Sequence, residues 1–109
     1  MSEMKTLESL RACLQRWSAG SAKLWSYDVT LQRLVLRLEH DSVKGNLHVV
    51  CSPCVWISAP PFWRPTALAL ETVYRGDIRD TEYRLVDRAA GVEIRCLRLV
   101  IDQDVAPVY

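Results

Sequence analysis

Near residue 20 the apolar positions of this chain change their period from three and four residues to two, a pattern that calls for a helix followed by sheet. Met4, Leu7, Leu10, Leu14 and Trp17 fall on one helical face, while Lys5, Glu8, Arg11, Gln15 and Arg16 mostly fall elsewhere. The spacing predicts an amphipathic helix from about residue 3 to about residue 18, capped by Ser2 or Thr6 and closed by Gly20 in a left-handed conformation. From residue 23 onward Trp25, Tyr27, Val29 and Leu31 share one phase and Ser26, Asp28 and Thr30 the other, as in a half-buried strand.

The alternation resumes after Gln32-Arg33 at Leu34, Leu36 and Leu38, which predicts a hairpin whose second arm ends in a loop over residues 40–46. Further strands are expected at Leu47 to Cys51, Cys54 to Ser58, Ala67 to Tyr74, Tyr83 to Asp87 and Val92 to Ile101. Prolines 60, 61 and 65 keep the intervening segment out of a sheet interior, Arg75-Gly76-Asp77 reads as a turn, and Arg88 to Gly91 reads as a hairpin connection. In the last strand Val92, Ile94 and Cys96 hold one phase but Leu97, Leu99 and Ile101 the other, which requires a bulge or burial on both faces. The fold expected is α+β: an N-terminal amphipathic helix packed on a curled, mostly antiparallel sheet of about six or seven strands in meander order. Helix (about 3–18) and sheet (about 23–102) fit one domain over residues 1–109.

Composition narrows the class of function. With 50% hydrophobic and 25% charged residues the chain is ordinary globular protein, and a formal net charge of +1 gives no field to attract nucleic acid or anionic membrane. No apolar run approaches about 18 residues, and the opening MSEMKTLESL carries acids where a signal peptide has a basic and then an apolar region. A soluble cytoplasmic protein is expected, with no nucleic-acid or membrane partner. Arginine outnumbers lysine eleven to three, which is compatible with a GC-rich bacterial genome.

The one segment with evident chemistry is Cys51-Ser52-Pro53-Cys54. Zinc needs four ligands, and the other candidates, Cys13, Cys96, His40 and His48, show no finger or ribbon spacing. A redox pair needs a thiol of lowered pKa, usually at a helix N-terminus, whereas Val49-Val50 and Val55-Trp56-Ile57 favour strand. Packed structural thiols are the first expectation; a zinc or thiol-redox site at Cys51 and Cys54 with His48 is the alternative, although His48 and Cys51 face opposite sides of a regular strand. His40-Asp41 reads as a solvated turn, with a general-base role for His40, Asp41 and His48 as the weakest reading, and Asp102-x-Asp104 reads as a polar strand end.

Pro60 to Pro65 is the best recognition segment, because Phe62, Trp63 and Arg64 held by prolines offer contact area at low entropic cost. Arg33, Arg37, Arg84, Arg88, Arg95 and Arg98 fall on strands or their turns and predict an outer face of cross-strand ion pairs with Glu39, Glu82 and Glu93. The function expected is therefore a small non-enzymatic interaction or accessory module without a cofactor. It would bind a protein partner, or itself as a homodimer, through a sheet edge and the Pro60 to Pro65 loop.

Overall fold

The computed structural model describes residues 7–74 and 81–105. In chain order the elements are α1 (Leu7–Arg16), β1 (Ser21–Asp28), β2 (Arg33–His40), β3 (Val43–Cys51), β4 (Cys54–Ser58), β5 (Phe62–Trp63), β6 (Ala69–Tyr74), β7 (Thr81–Asp87), β8 (Val92–Cys96) and β9 (Leu99–Val105). The strands make two antiparallel sheets, a 5-stranded one in the order β5-β1-β2-β3-β9 and a 4-stranded one in the order β4-β8-β7-β6. This corrects the expected single curled sheet. Meander order holds only locally, along β1-β2-β3 and β6-β7-β8. Among the described residues no helix is long and apolar enough to cross a membrane.

The reason for two sheets lies in one corner. The chain passes from β3 to β4 through Ser52-Pro53 and returns from β8 to β9 through Leu97-Arg98. These crossings are bonded side by side: the Ser52 N–H donates to the Arg98 carbonyl at 3.1 Å and the Leu97 N–H to the Pro53 carbonyl at 3.1 Å. Before the corner Cys96 lies opposite Cys54; after it Leu99 lies opposite Cys51. The phase reversal between Cys96 and Leu97 is thus a change of sheet, which makes one expected strand into two.

Both inner faces and α1 share one core. Leu34, Leu36, Leu38, Leu47 and Val49 line it from the larger sheet, Leu70, Leu85 and Ile94 from the smaller, and Leu10, Leu14 and Trp17 from the helical segment. The exit from α1 is pinned by buried Thr66, whose hydroxyl donates to the Trp17 carbonyl at 3.1 Å and whose own carbonyl accepts from the Ala19 N–H at 2.8 Å. Ala19, with φ of 71°, takes the left-handed position expected of Gly20. Gly20 is needed for a different reason, since a Cβ there would collide with the Glu39 carbonyl oxygen. Met4 and the expected caps Ser2 and Thr6 lie outside the described residues, as do Arg75, Gly76 and Asp77.

The first hairpin departs from its apolar pattern. Ala22 and Leu24 face the core, opposite Leu38 and Leu36; a bulge between Leu24 and Ser26 then inserts Trp25 and reverses the faces. Trp25, Tyr27, Val29 and Leu31, expected to be the buried phase, are all exposed. Val29 and Leu31 belong to the turn itself, where the Leu31 N–H donates to Asp28 Oδ1 at 3.1 Å and Gln32 adopts φ of 50°. The expected 40–46 loop contracts to a two-residue turn at Asp41-Ser42, because β3 begins at Val43, opposite His40.

Asp87, at the end of β7, is 1% exposed and organises the loops around it. Its Oδ2 accepts from Trp63 Nε1 at 3.1 Å and from the Ala67 N–H at 2.8 Å, and its Oδ1 accepts from the Ala90 N–H at 3.3 Å. A buried carboxylate is tolerated only when donors replace its water, and here three do. Asp87→Ala is expected to lose about 3 kcal/mol in urea denaturation and Trp63→Phe about 1.5 kcal/mol, following the usual cost of orphaned buried partners. Equal stability of Asp87→Ala and wild type would show that the carboxylate holds nothing.

Candidate interaction surface

The recognition segment expected at Pro60 to Pro65 divides. Trp63 is buried, bound to Asp87, and serves the fold. Phe62 is 54% exposed, and Arg64 is exposed in a solvated ion pair with Asp41 at 3.4 Å, a pairing worth little. Pro60, Phe62, Arg64 and Pro65 line an open depression of about 440 Å³ with Ala89 and Ala90. Two of the three expected contact residues therefore face solvent.

The thiols gather at the corner, under the two crossings. Cys51 ends β3, Cys54 begins β4 and Cys96 ends β8; all are free and buried, as is Cys13. A hydrogen bond with Cys96, and then burial, raise the Cys51 pKa well above the usual thiol range. Burial, partly offset by a backbone hydrogen bond from Trp56, pushes the Cys54 thiol up to about 11. These surroundings favour the neutral thiol, the opposite of what a metal ligand or redox nucleophile requires. Cys96, a candidate ligand by residue type alone, is the third member, since only strand register places it beside the other two.

His48 lies on the other side of its strand, apart from the thiols. Strand pairing sets Lys23, Arg37, His48 and Asp102 in one row across β1, β2, β3 and β9 on the outer face of the larger sheet. Trp25 lies over this row, its ring centroid 4.3 Å from the Arg37 guanidinium carbon, 5.7 Å from Lys23 Nζ and 6.2 Å from the His48 ring. Covered in this way, Arg37 is only 3% exposed. Its Nε stands 3.9 Å from a Glu39 oxygen that also pairs with Lys23 at 3.4 Å. Burial first, then the Arg37 guanidinium, lower the His48 pKa, with Asp102 opposing. His40 lies at the far end of β2, its Nδ1 accepting from the Ser42 N–H at 2.9 Å, so the two histidines occupy separate places.

The smaller sheet repeats the arrangement with Trp56, Arg95, Arg84 and Glu71 in one row. Arg95 lies 5.8 Å from the Trp56 ring centroid, and Glu93 pairs with both Arg95 and Arg84. The expected outer face of ion pairs is present in part: Arg84–Glu93 and Lys23–Glu39 pair across strands, Arg37–Glu39 and Arg95–Glu93 pair within one strand, and Glu82, expected on this face, is buried.

The surface not foreseen is the seam between β1 and β4. Residues 54–63 run alongside the β1 hairpin arm in the opposite sense, bonded from the Cys54 N–H to the Gln32 carbonyl at 2.7 Å and from the Leu24 N–H to the Pro61 carbonyl at 2.9 Å. Between these ties the strands belong to different sheets. β5 covers β1 only at Ala22 and Lys23, and β4 is the outermost strand of its sheet. Tyr27 lies opposite buried Leu34 and Ile57 opposite buried Ile94, so both point inward; they remain 45% and 36% exposed because the seam is uncovered. Val55 and Trp56 add further exposed apolar area on the β4 edge. Exposed apolar area on unpaired strand edges favours association.

Among the described residues, no group of three or more His, Cys, Asp and Glu side chains is placed to hold a metal ion. Compared with family models, curated proteins and solved structures, the chain matches none.

Two outcomes are expected. At pH 8 about one Cys54 thiol in a thousand is ionised, so a thiol reagent should leave native protein unmodified over minutes and titrate its cysteines on unfolding; rapid native labelling would contradict this burial. Because folding lowers the His48 pKa, the unfolded chain takes up the proton first as pH falls. Its contribution to stability is complete above about pH 6.5 and is lost as pH falls through the folded value. His48→Gln should therefore flatten the decline in denaturation midpoint below pH 6.5; an unchanged slope would assign that decline elsewhere.

Proposed function

We propose that this chain is a single-domain, non-enzymatic interaction module that binds an extended protein segment along the β1–β4 seam. The observation that carries this reading is the pair of unpaired edges with inward-facing Tyr27 and Ile57 left half-exposed. A strand laid there would gain main-chain hydrogen bonds from an open edge and would bury every second side chain against the core opening. Phe62, continuing from β4, supplies a further exposed apolar contact, while the Pro60 to Pro65 loop limits how far an added strand extends. The arginine-rich, lysine-poor composition supports a bacterial origin, and the free cysteines fit a reducing cytoplasm. A zinc or redox role for Cys51 and Cys54 has less support, since both thiols are buried and held neutral.

The test is quantitative capture of interacting chains on immobilised wild-type protein and on Tyr27→Glu and Trp56→Glu variants of unchanged circular dichroism. A stoichiometric interactor weakened at least tenfold by both substitutions is expected, because a charge would then be desolvated at the contact. An interactor bound equally by all three proteins would contradict the reading.

A further inference from the structure

Among the described residues the sheets have four edges, and three are guarded. The β6 edge is covered by α1, with Arg11 Nε donating to the Leu70 carbonyl at 2.9 Å. The β9 edge carries exposed Asp102. The β5 edge is two residues long and is bracketed by Pro60, Pro61 and Pro65. Each of these is a known device against strand addition. Among the described residues the β4 edge is tied to the β1 arm at Cys54 and otherwise has only the bulge at Val55, and Val55, Trp56, Ile57 and Ser58 are exposed on both faces.

We propose that the β4 edge pairs with the β4 edge of a second copy of this chain, antiparallel about a two-fold axis at Trp56. This rests on the strand-addition reading above and specifies the added strand. The charge pattern selects the occupant: a two-fold axis brings an edge against itself, so an edge with net charge of either sign meets the same sign. No Asp, Glu, Lys or Arg occurs from Gly45 to Trp63, so β4 meets its copy without repulsion. Centring on Trp56 sets indole against indole, each flanked by its own Arg95, and places Ile57 opposite Val55 of the other copy. The two smaller sheets then become one continuous sheet. Four residues make a short junction, so the dimer dissociates in the micromolar range or above, as small interfaces do.

Light scattering from about 1 µM to about 1 mM should show the mass rising from 12.5 kDa toward twice that value, with the midpoint moved at least tenfold to higher concentration by Trp56→Lys. Trp56→Cys should form a covalent dimer with oxidised glutathione, because the axis brings the two positions together and the native thiols are buried; Asp102→Cys on β9 should not. A constant 12.5 kDa mass, a dimer indifferent to Trp56→Lys, or equal cross-linking through Asp102→Cys would each overturn the proposal. A constant mass accompanied by Tyr27- and Trp56-dependent capture of another chain would overturn self-pairing alone and leave the strand-addition reading standing.

Discussion

Two backbone hydrogen bonds between Ser52-Pro53 and Leu97-Arg98 hold the point on which the architecture turns. They let an antiparallel pair of strands change sheet together, so that β3 and β9 close the larger sheet while β4 and β8 begin the smaller. Pro53 lacks an N–H and cannot complete a ladder position, yet its carbonyl is the acceptor the returning strand uses. Cys51, Cys54 and Cys96 fill the inside of this bend, where small apolar side chains fit and a charged thiolate would be costly. The chemistry suggested by C-x-x-C spacing is in this way absorbed into packing.

The corner has a consequence on the opposite side. Once β4 leaves the larger sheet, it no longer pairs with β1, although residues 54–63 still run beside it and are tied to it at both ends. The helix α1 packs near β6, while between β1 and β4 the inward-facing Tyr27 and Ile57 stay half-exposed among the described residues. Bulges at Trp25 and Val55 twist both free edges and turn two tryptophans outward, each over an arginine of its own sheet. Cation–aromatic stacking holds these indoles in place, so the surface is shaped before anything binds to it, and ordering it costs a binding partner little.

Much of this was legible in the sequence. Leu10, Leu14 and Trp17 showed their buried face because a helix repeats its contacts every three to four residues. The break after Cys96 was visible as a phase reversal, but bulge and sheet change look alike until the pairing of Cys96 with Cys54 is known. Trp25 and Tyr27 misled because apolar alternation signals burial only where something covers the strand, and one inserted residue exchanges the faces. Phe62 and Trp63 could not be told apart locally. What separates them is Asp87, 24 residues along the chain, whose carboxylate draws the indole inward.

The sandwich packs α1 against β6 and leaves the β1 edge beyond Lys23 and the β4 edge without a paired strand. Amide hydrogen exchange followed by NMR on dilute protein tests this most directly, because exchange reports the pairing of each backbone N–H. The prediction is that alternate amides within residues 25–28 and 55–58 exchange orders of magnitude faster than those of Leu36 and Val49, which lie in the doubly paired strands β2 and β3. Uniform slow exchange along both edges would mean that the seam is already covered, and would contradict the account.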